Sequence, residues 1–197
     1  RTLLGAAILA CATAHAPAFA QNAVRIGLIA TYSGPYADYG RQFDAGIALY
    51  LKEHGGKVGG RPVEIIKKDT AGPAPDAAKR IAQELIVRDK VNVLTGLDFS
   101  PNAYAVGAIA TQAKIPTIVM NAASSAITTS SPYIARLSFT VQQVTDPMAR
   151  YMLKQGVKEA YTVVADYASG QDAETAFKKA FTAGGGKVVG EVRTPMN

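Results

Sequence analysis

The sequence is poor in the residues that most often build active centres. Its 197 residues include one cysteine, Cys11, and two histidines, His15 and His54. A lone cysteine excludes an internal disulfide and any zinc site built on cysteines. His15 falls in an N-terminal apolar stretch and His54 at the end of a predicted helix. A histidine metal site or a Ser-His-Asp relay therefore lacks its parts. No G-x-G-x-x-G follows the first strand, whose turn reads TYSGPYADYG, which disfavours a dinucleotide site. Gly184-Gly185-Gly186-Lys187 precedes a strand and has no Ser or Thr after the lysine, so it is not a phosphate loop. No G-x-S-x-G elbow occurs. Basic runs are missing as well: 21 Lys and Arg against 15 Asp and Glu give a mild +6, scattered along the chain. Without basic residues interleaved with aromatics, no nucleic-acid partner is expected. No metal, cofactor or catalytic role is expected, and Asp69, Asp98 and Asp166, each following a strand without a partner base, are read as loop-capping carboxylates.

Long hydrophobic runs are lacking too. Residues 3–10, LLGAAILA, are too few to cross a bilayer. Followed by Ala18-Phe19-Ala20 before Gln21, they have the form of a secretory leader over residues 1–20 with a small-x-small cleavage site. A lipoprotein box ending at Cys11 is the alternative, with Leu9 bulky for it. Either reading places the mature chain outside the cytoplasm, as a periplasmic protein. Because the leader begins at Arg1 without a methionine, its extreme N-terminus is expected to be missing.

What the chain does contain is 48% hydrophobic residues with 18% charged, the composition of a globular core. Val24 to Ala30 reads as a buried strand running into the polar turn SGPYADYG. A helix from about Gly40 to Glu53 places Phe43, Ile47 and Leu51 on one side and stops at Gly55-Gly56. Gly59-Gly60 then turns the chain into a second strand, Pro62 to Lys67. A helix over Asp76 to Arg88 buries Ala78, Ile81, Ala82, Leu85 and Ile86. A third strand, Val91 to Leu94, leads to Ser100-Pro101, a good helix start. A fourth, Ile115 to Met120, leads through residues 121–125 into a short helix, and Tyr133 to Phe139 is the fifth. Beyond Thr140-Val141 come a helix from Pro147 to Lys154, a strand from Ala160 to Ala165, a helix from Asp172 to Ala183 and a strand from Lys187 to Val192.

Strands alternating with helices predict an α/β, doubly wound, mostly parallel sheet. Residues 21–140 suffice for one lobe. Residues 141–197 hold two strands, too few for a second sheet, so that lobe is expected to be truncated. In such sheets ligands sit beyond the carboxyl ends of the strands, where helix N-termini present backbone N–H groups. The residues there are Tyr39 in the first turn, Phe99 and Ser100 after the third strand, and Asn121, Ala122, Ala123 and Ser124 after the fourth. Small residues would let a ligand carboxylate reach the N–H groups, while Tyr39 and Phe99 would wall a side chain or ring. Tyr167, after the strand ending at Ala165, would face the same cleft from the second lobe.

The leader, VRIGLIATYSGPYADYG, the pairs Gly55-Gly56 and Gly59-Gly60, Asp69 closing the second strand, and KVNVLTG after the second helix form an ordered set. Over residues 22–197 it resembles the type I periplasmic solute-binding proteins of branched-chain amino-acid-type ABC transporters. The resemblance implies two lobes joined by crossover strands, a hinge that closes on a small carboxylate solute, a membrane permease as partner, and a monomer. By position it implies that Tyr39 is a pocket tyrosine and that Ala122 and Ser124 meet the ligand carboxylate and ammonium. Phe99 stands where the family has a polar residue, a departure from a plain amino-acid pocket. MNAASSAITTSSPYIARLSF is similar to members that bind benzoate- or cinnamate-like acids, with aliphatic amino acids as the alternative. The rival readings are the outer ligand-binding domain of a sensor and a nucleotide-dependent enzyme of doubly wound fold.

Overall fold

The computed structural model describes residues 23–196; the leader with Cys11 and His15 lies outside them. Strand β1 (Val24–Ala30) is the centre of the larger sheet, flanked by β3 (Arg61–Asp69) and β4 (Val93–Gly96), both parallel to it. Strands β5 (Thr117–Val119) and β6 (Ile134–Arg136) extend it, and the short β2 (Lys57–Val58) closes the far edge, giving the order β2-β3-β1-β4-β5-β6. β2 pairs antiparallel with β3 through Gly59 and Gly60. Both of those glycines have positive φ, +58° and +78°. A two-residue turn of that kind matches the twist of paired strands, so a hairpin forms where a plain turn is predicted.

Helices α2 (Pro75–Val87) and α3 (Ser100–Ala113) cover one face of this sheet. Their buried stripe, Ala78, Ile81, Ala82 and Leu85 on α2 with Val106 and Ile109 on α3, meets Ile29, Leu94 and Val119 in one core. Each fully buried Leu or Ile contributes about 1.5–3 kcal/mol. Helix α1 (Asp38–Glu53) packs on the opposite face, where Phe43, Ile47 and Leu51 border an open apolar hollow of about 390 Å³ with Ile26, Ile65 and Ile118.

A second, two-stranded parallel sheet pairs β7 (Glu159–Ala165) with β8 (Lys187–Thr194). Helices α4 (Val141–Lys154) and α5 (Ala168–Ala183) pack on it around Ala149, Ala160, Ala180 and Phe181. Within α5 the buried Glu174 accepts two hydrogen bonds from Arg193 of β8, at 3.1 and 2.6 Å. That guanidinium holds its carboxyl below the usual glutamate range. The outer face of the small sheet stays open: Tyr161 and Val163 are 59% and 65% exposed.

Two helix starts differ from expectation. Helix α4 begins at Val141, six residues before Pro147, because Thr140 and Gln143 form a reciprocal capping box. Pro147 therefore sits inside the helix. Helix α5 begins at Ala168 rather than Asp172. The segment after β5 makes only a 3-10 turn, Ser125–Ile127.

Gly96 ends β4 with φ +96°, and a Cβ there would lie 2.2 Å from the Ile29 carbonyl oxygen. Only glycine combines that backbone with that approach. Gly96→Ala in the full-length protein is therefore expected to cost on the order of 3 kcal/mol or abolish soluble expression. Urea denaturation within 0.5 kcal/mol of wild type would contradict this packing.

Candidate functional site

The carboxyl end of β1 is held by two carboxylates on its flanking strands. Asp98, just past β4, accepts the Thr31 N–H at 2.8 Å. Asp69, the last residue of β3, accepts the Tyr32 N–H at 2.8 Å and the Ala71 N–H at 2.7 Å. Both thus serve as loop-capping groups, and Asp69 makes an Asx-type turn of its own. Their grip shapes the turn that carries Tyr36 and Tyr39. The two tyrosines close edge-to-face on Phe99, with ring centroids 5.0 and 5.6 Å away. Aromatic pairs in this geometry add about 0.5–1.5 kcal/mol beyond their burial.

Tyr39 and Phe99 of that group form one wall of a cleft of about 400 Å³ between the two sheets. The volume lies in the range of small-molecule pockets, about 300–1,000 Å³. Tyr39, Phe99 and Asn121 face Phe139 and, across from them, Tyr167 and Ser169. Asp98, Ala123, Val141, Gly170, Ala173 and the end of β7 complete the lining. The walls supply four aromatic rings and no lysine or arginine.

Two helix N-termini border the cleft. Helix α3 starts with Phe99 as N-cap and helix α5 with Tyr167, and neither cap residue's side chain bonds the helix end. The first N–H groups of a helix have no partner within it, and its N-terminus carries roughly half a positive charge. Two such ends open on one hollow, one from each sheet. Burial pushes the Asp98 carboxyl above the ordinary aspartate range, against the pull of Thr31. Burial likewise raises the Tyr167 phenol, so its hydroxyl stays a neutral donor, with Ser169 acting against the rise.

Of the residues singled out from sequence, Tyr39, Phe99, Asn121, Ala123 and Tyr167 line the cleft. Ser100, Ala122 and Ser124 lie behind its wall. Ser100 is 1% exposed, and its hydroxyl joins that of Ser169 at 2.6 Å and accepts the Ser124 N–H at 3.2 Å. Ala122 is buried in the core under α3. The donors after β5 are already occupied by the protein's own carboxylate: Asp172 of α5 accepts from the Ser124 hydroxyl and the Ser125 N–H, each at 2.7 Å. Asn121 donates to the Asp98 carbonyl at 2.9 Å, fixing the two turns to each other. Arg136 ties down the same segment by donating to the Ser124 carbonyl at 2.7 Å.

Phe139, Val141, Ser169 and Gly170 were not anticipated. Thr140-x-x-Gln143 is a capping-box signature that places a helix start at Val141, and with it Phe139 and Val141 at a strand end. Ser169 and Gly170 follow from the earlier start of α5. Gly170 has a steric reason: a Cβ there would lie 1.9 Å from the Ala165 carbonyl oxygen.

Two α/β lobes facing each other across a cleft at their strand ends, the second lobe incomplete, define a type I periplasmic-binding-protein fold. Residues 23–197 match the periplasmic binding protein family, and the chain belongs to that family. It is 46% identical over 195 residues to Leu/Ile/Val-binding protein homolog 6 of Brucella abortus, covering 99% of this chain and 49% of that protein. The chain thus spans about half the length of the curated relatives it matches. A solute-binding protein of an ABC transporter from R. palustris, solved with 4-hydroxybenzoate, is 49% identical with a TM-score of 0.86. The match covers 88% of this chain and 47% of that one. Another from R. palustris, solved with benzoate, is 38% identical with a TM-score of 0.84, over 89% of this chain and 49% of that one.

The raised Asp98 carboxyl yields a pH prediction. A folded-state value above the unfolded one means that wild type loses stability as pH rises from the ordinary aspartate value, about 3.9, through the folded value. Asp98→Asn keeps an acceptor for Thr31 and removes the charge. It is expected to be at least as stable as wild type at pH 7, with the difference shrinking toward pH 4. Thermal melts that find Asp98→Asn equally destabilised at both pH values would contradict the buried-carboxyl assignment.

Proposed function

We propose that the chain is the N-terminal part of the exported, non-enzymatic solute receptor of an ABC importer, and that it binds an aromatic carboxylate between its lobes. The observation that carries this reading is the composition of the cleft: four aromatic rings around about 400 Å³, with two uncapped helix starts in place of a basic side chain. A ring slots between Tyr39, Phe99 and Tyr167, and its carboxylate takes main-chain N–H groups at the starts of α3 and α5. Such helix ends favour an anion without bringing a compensating cation. The complexes of the R. palustris proteins with benzoate and 4-hydroxybenzoate support the same ligand class. Lobe closure on the acid then shifts the population toward the form that a membrane permease accepts.

Aliphatic amino acids are the second reading, favoured by the name of the Brucella relatives. Against it stands the absence, among the lining residues described, of any carboxylate to pair with an ammonium other than the buried Asp98. A thermal-shift screen of the full-length mature protein separates the two, since a binder raises the melting temperature by mass action. Benzoate or 4-hydroxybenzoate is expected to stabilise it and leucine, isoleucine and valine to leave it unchanged; the reverse pattern overturns the aromatic reading. In titration calorimetry Tyr39→Ala is expected to weaken the bound acid at least tenfold, about 1.4 kcal/mol. Unchanged affinity would remove Tyr39 from the pocket.

A further inference from the structure

We propose that Asp172 is a positioning residue, fastening the second lobe over the cleft by taking the donors after β5. The inference rests on the solute-receptor reading of the same cleft. Asp172 lies on the first turns of α5, whose start supplies Tyr167, Ser169, Gly170 and Ala173 to the cleft wall. Ser169 and Asp172 are three residues apart, so they share one face of the helix, and both reach the first lobe. Ser169 meets Ser100 at the start of α3, and Asp172 meets Ser124 and Ser125, 48 and 47 residues earlier in the chain.

The donor order is fixed from the carboxylate end. An ionised carboxylate only accepts, so the Ser124 hydroxyl donates to Asp172. The Tyr104 hydroxyl, 2.8 Å from Ser124 Oγ, must then donate to Ser124. The result is a directed chain, Tyr104 to Ser124 to Asp172, running from α3 into α5. Ser124 and Ser100 are each 1% exposed, while Ser125 and Asp172 are half-buried, so the contact is partly shielded from water. Hydrogen bonds to an ionised acceptor are roughly twice as strong as neutral ones. No other charged side chain is hydrogen-bonded across the two lobes among the described residues. The contact also has a chemical consequence: with Asp172 seated, a ligand acid is excluded from Ser124 and Ser125 and is directed to the starts of α3 and α5.

The test uses the full-length mature protein with spin labels at Lys79→Cys on α2 and Lys179→Cys on α5, both exposed. Pulsed electron paramagnetic resonance reads the interlobe distance with and without 4-hydroxybenzoate, and stopped-flow reads its binding kinetics. Asp172→Ala is expected to move the distance distribution to longer values and to raise the dissociation rate at least tenfold, with the association rate within threefold. Asp172→Asn, which keeps a neutral acceptor, is expected to fall between, and stands in if the alanine variant does not fold. In a Ser124→Ala background, Asp172→Ala is expected to add less than a further threefold, a coupling that general destabilisation would not produce. Identical distance distributions in wild type and the Asp172 variants overturn the proposal, as does a dissociation rate within twofold of wild type. If wild type binds no aromatic acid, the aromatic-acid reading fails on its own and the distances alone decide the role of Asp172.

Discussion

The site depends on how the carboxyl end of β1 is terminated. Its last two amides before the polar turn, those of Thr31 and Tyr32, are taken by Asp98 and Asp69 from the strands on either side. The Thr31 bond is buried, where an unpaired N–H costs about 1–3 kcal/mol, and the exposed Tyr32 bond adds a second tether, so the two carboxylates together set which way the chain leaves the sheet. The path they impose brings Tyr36 and Tyr39 onto Phe99, at the start of α3. One backbone constraint therefore builds the aromatic wall and aligns it with a helix N-terminus.

Charge selection follows from the same construction. The lining contains no lysine or arginine, and its one acidic side chain is held by burial above its ordinary range. Such a cleft attracts an anion through helix ends alone, and these are weak, directional and fixed in place. On the proposed reading a rigid flat acid suits that arrangement, its ring filling the aromatic slot and its carboxylate reaching main-chain donors. On that reading donors come from both lobes, so the grip is complete only when α5 is docked. Asp172 and Ser169 are the groups that dock it.

Much of this was legible along the chain, and the rest was not for identifiable reasons. The apolar run Val24–Ala30, the α2 stripe and the Ser100-Pro101 start carry local signatures, and each element lies where those signatures point. The start of α4 was legible but misread: Pro147 looked like a first-turn proline, while the Thr140–Gln143 capping box, six residues earlier, is what begins the helix. The hairpin strand β2 is two residues long and has no periodicity to read. Asp172 had no local signature. Its partners lie nearly fifty residues away, and in the sequence it reads only as the first residue of a helix. The turn at Ser124 reads in the sequence as suited to an acid group, but nothing in the linear order says that the acid is the protein's own.

The most direct measurement is a crystal structure of the full-length mature protein grown with 4-hydroxybenzoate. The account predicts the ring between Tyr39, Phe99 and Tyr167, with the carboxylate oxygens within hydrogen-bond reach of backbone N–H groups at the starts of α3 and α5. An acid seated on Ser124 and Ser125 in place of Asp172, or found away from the aromatic wall, would contradict it.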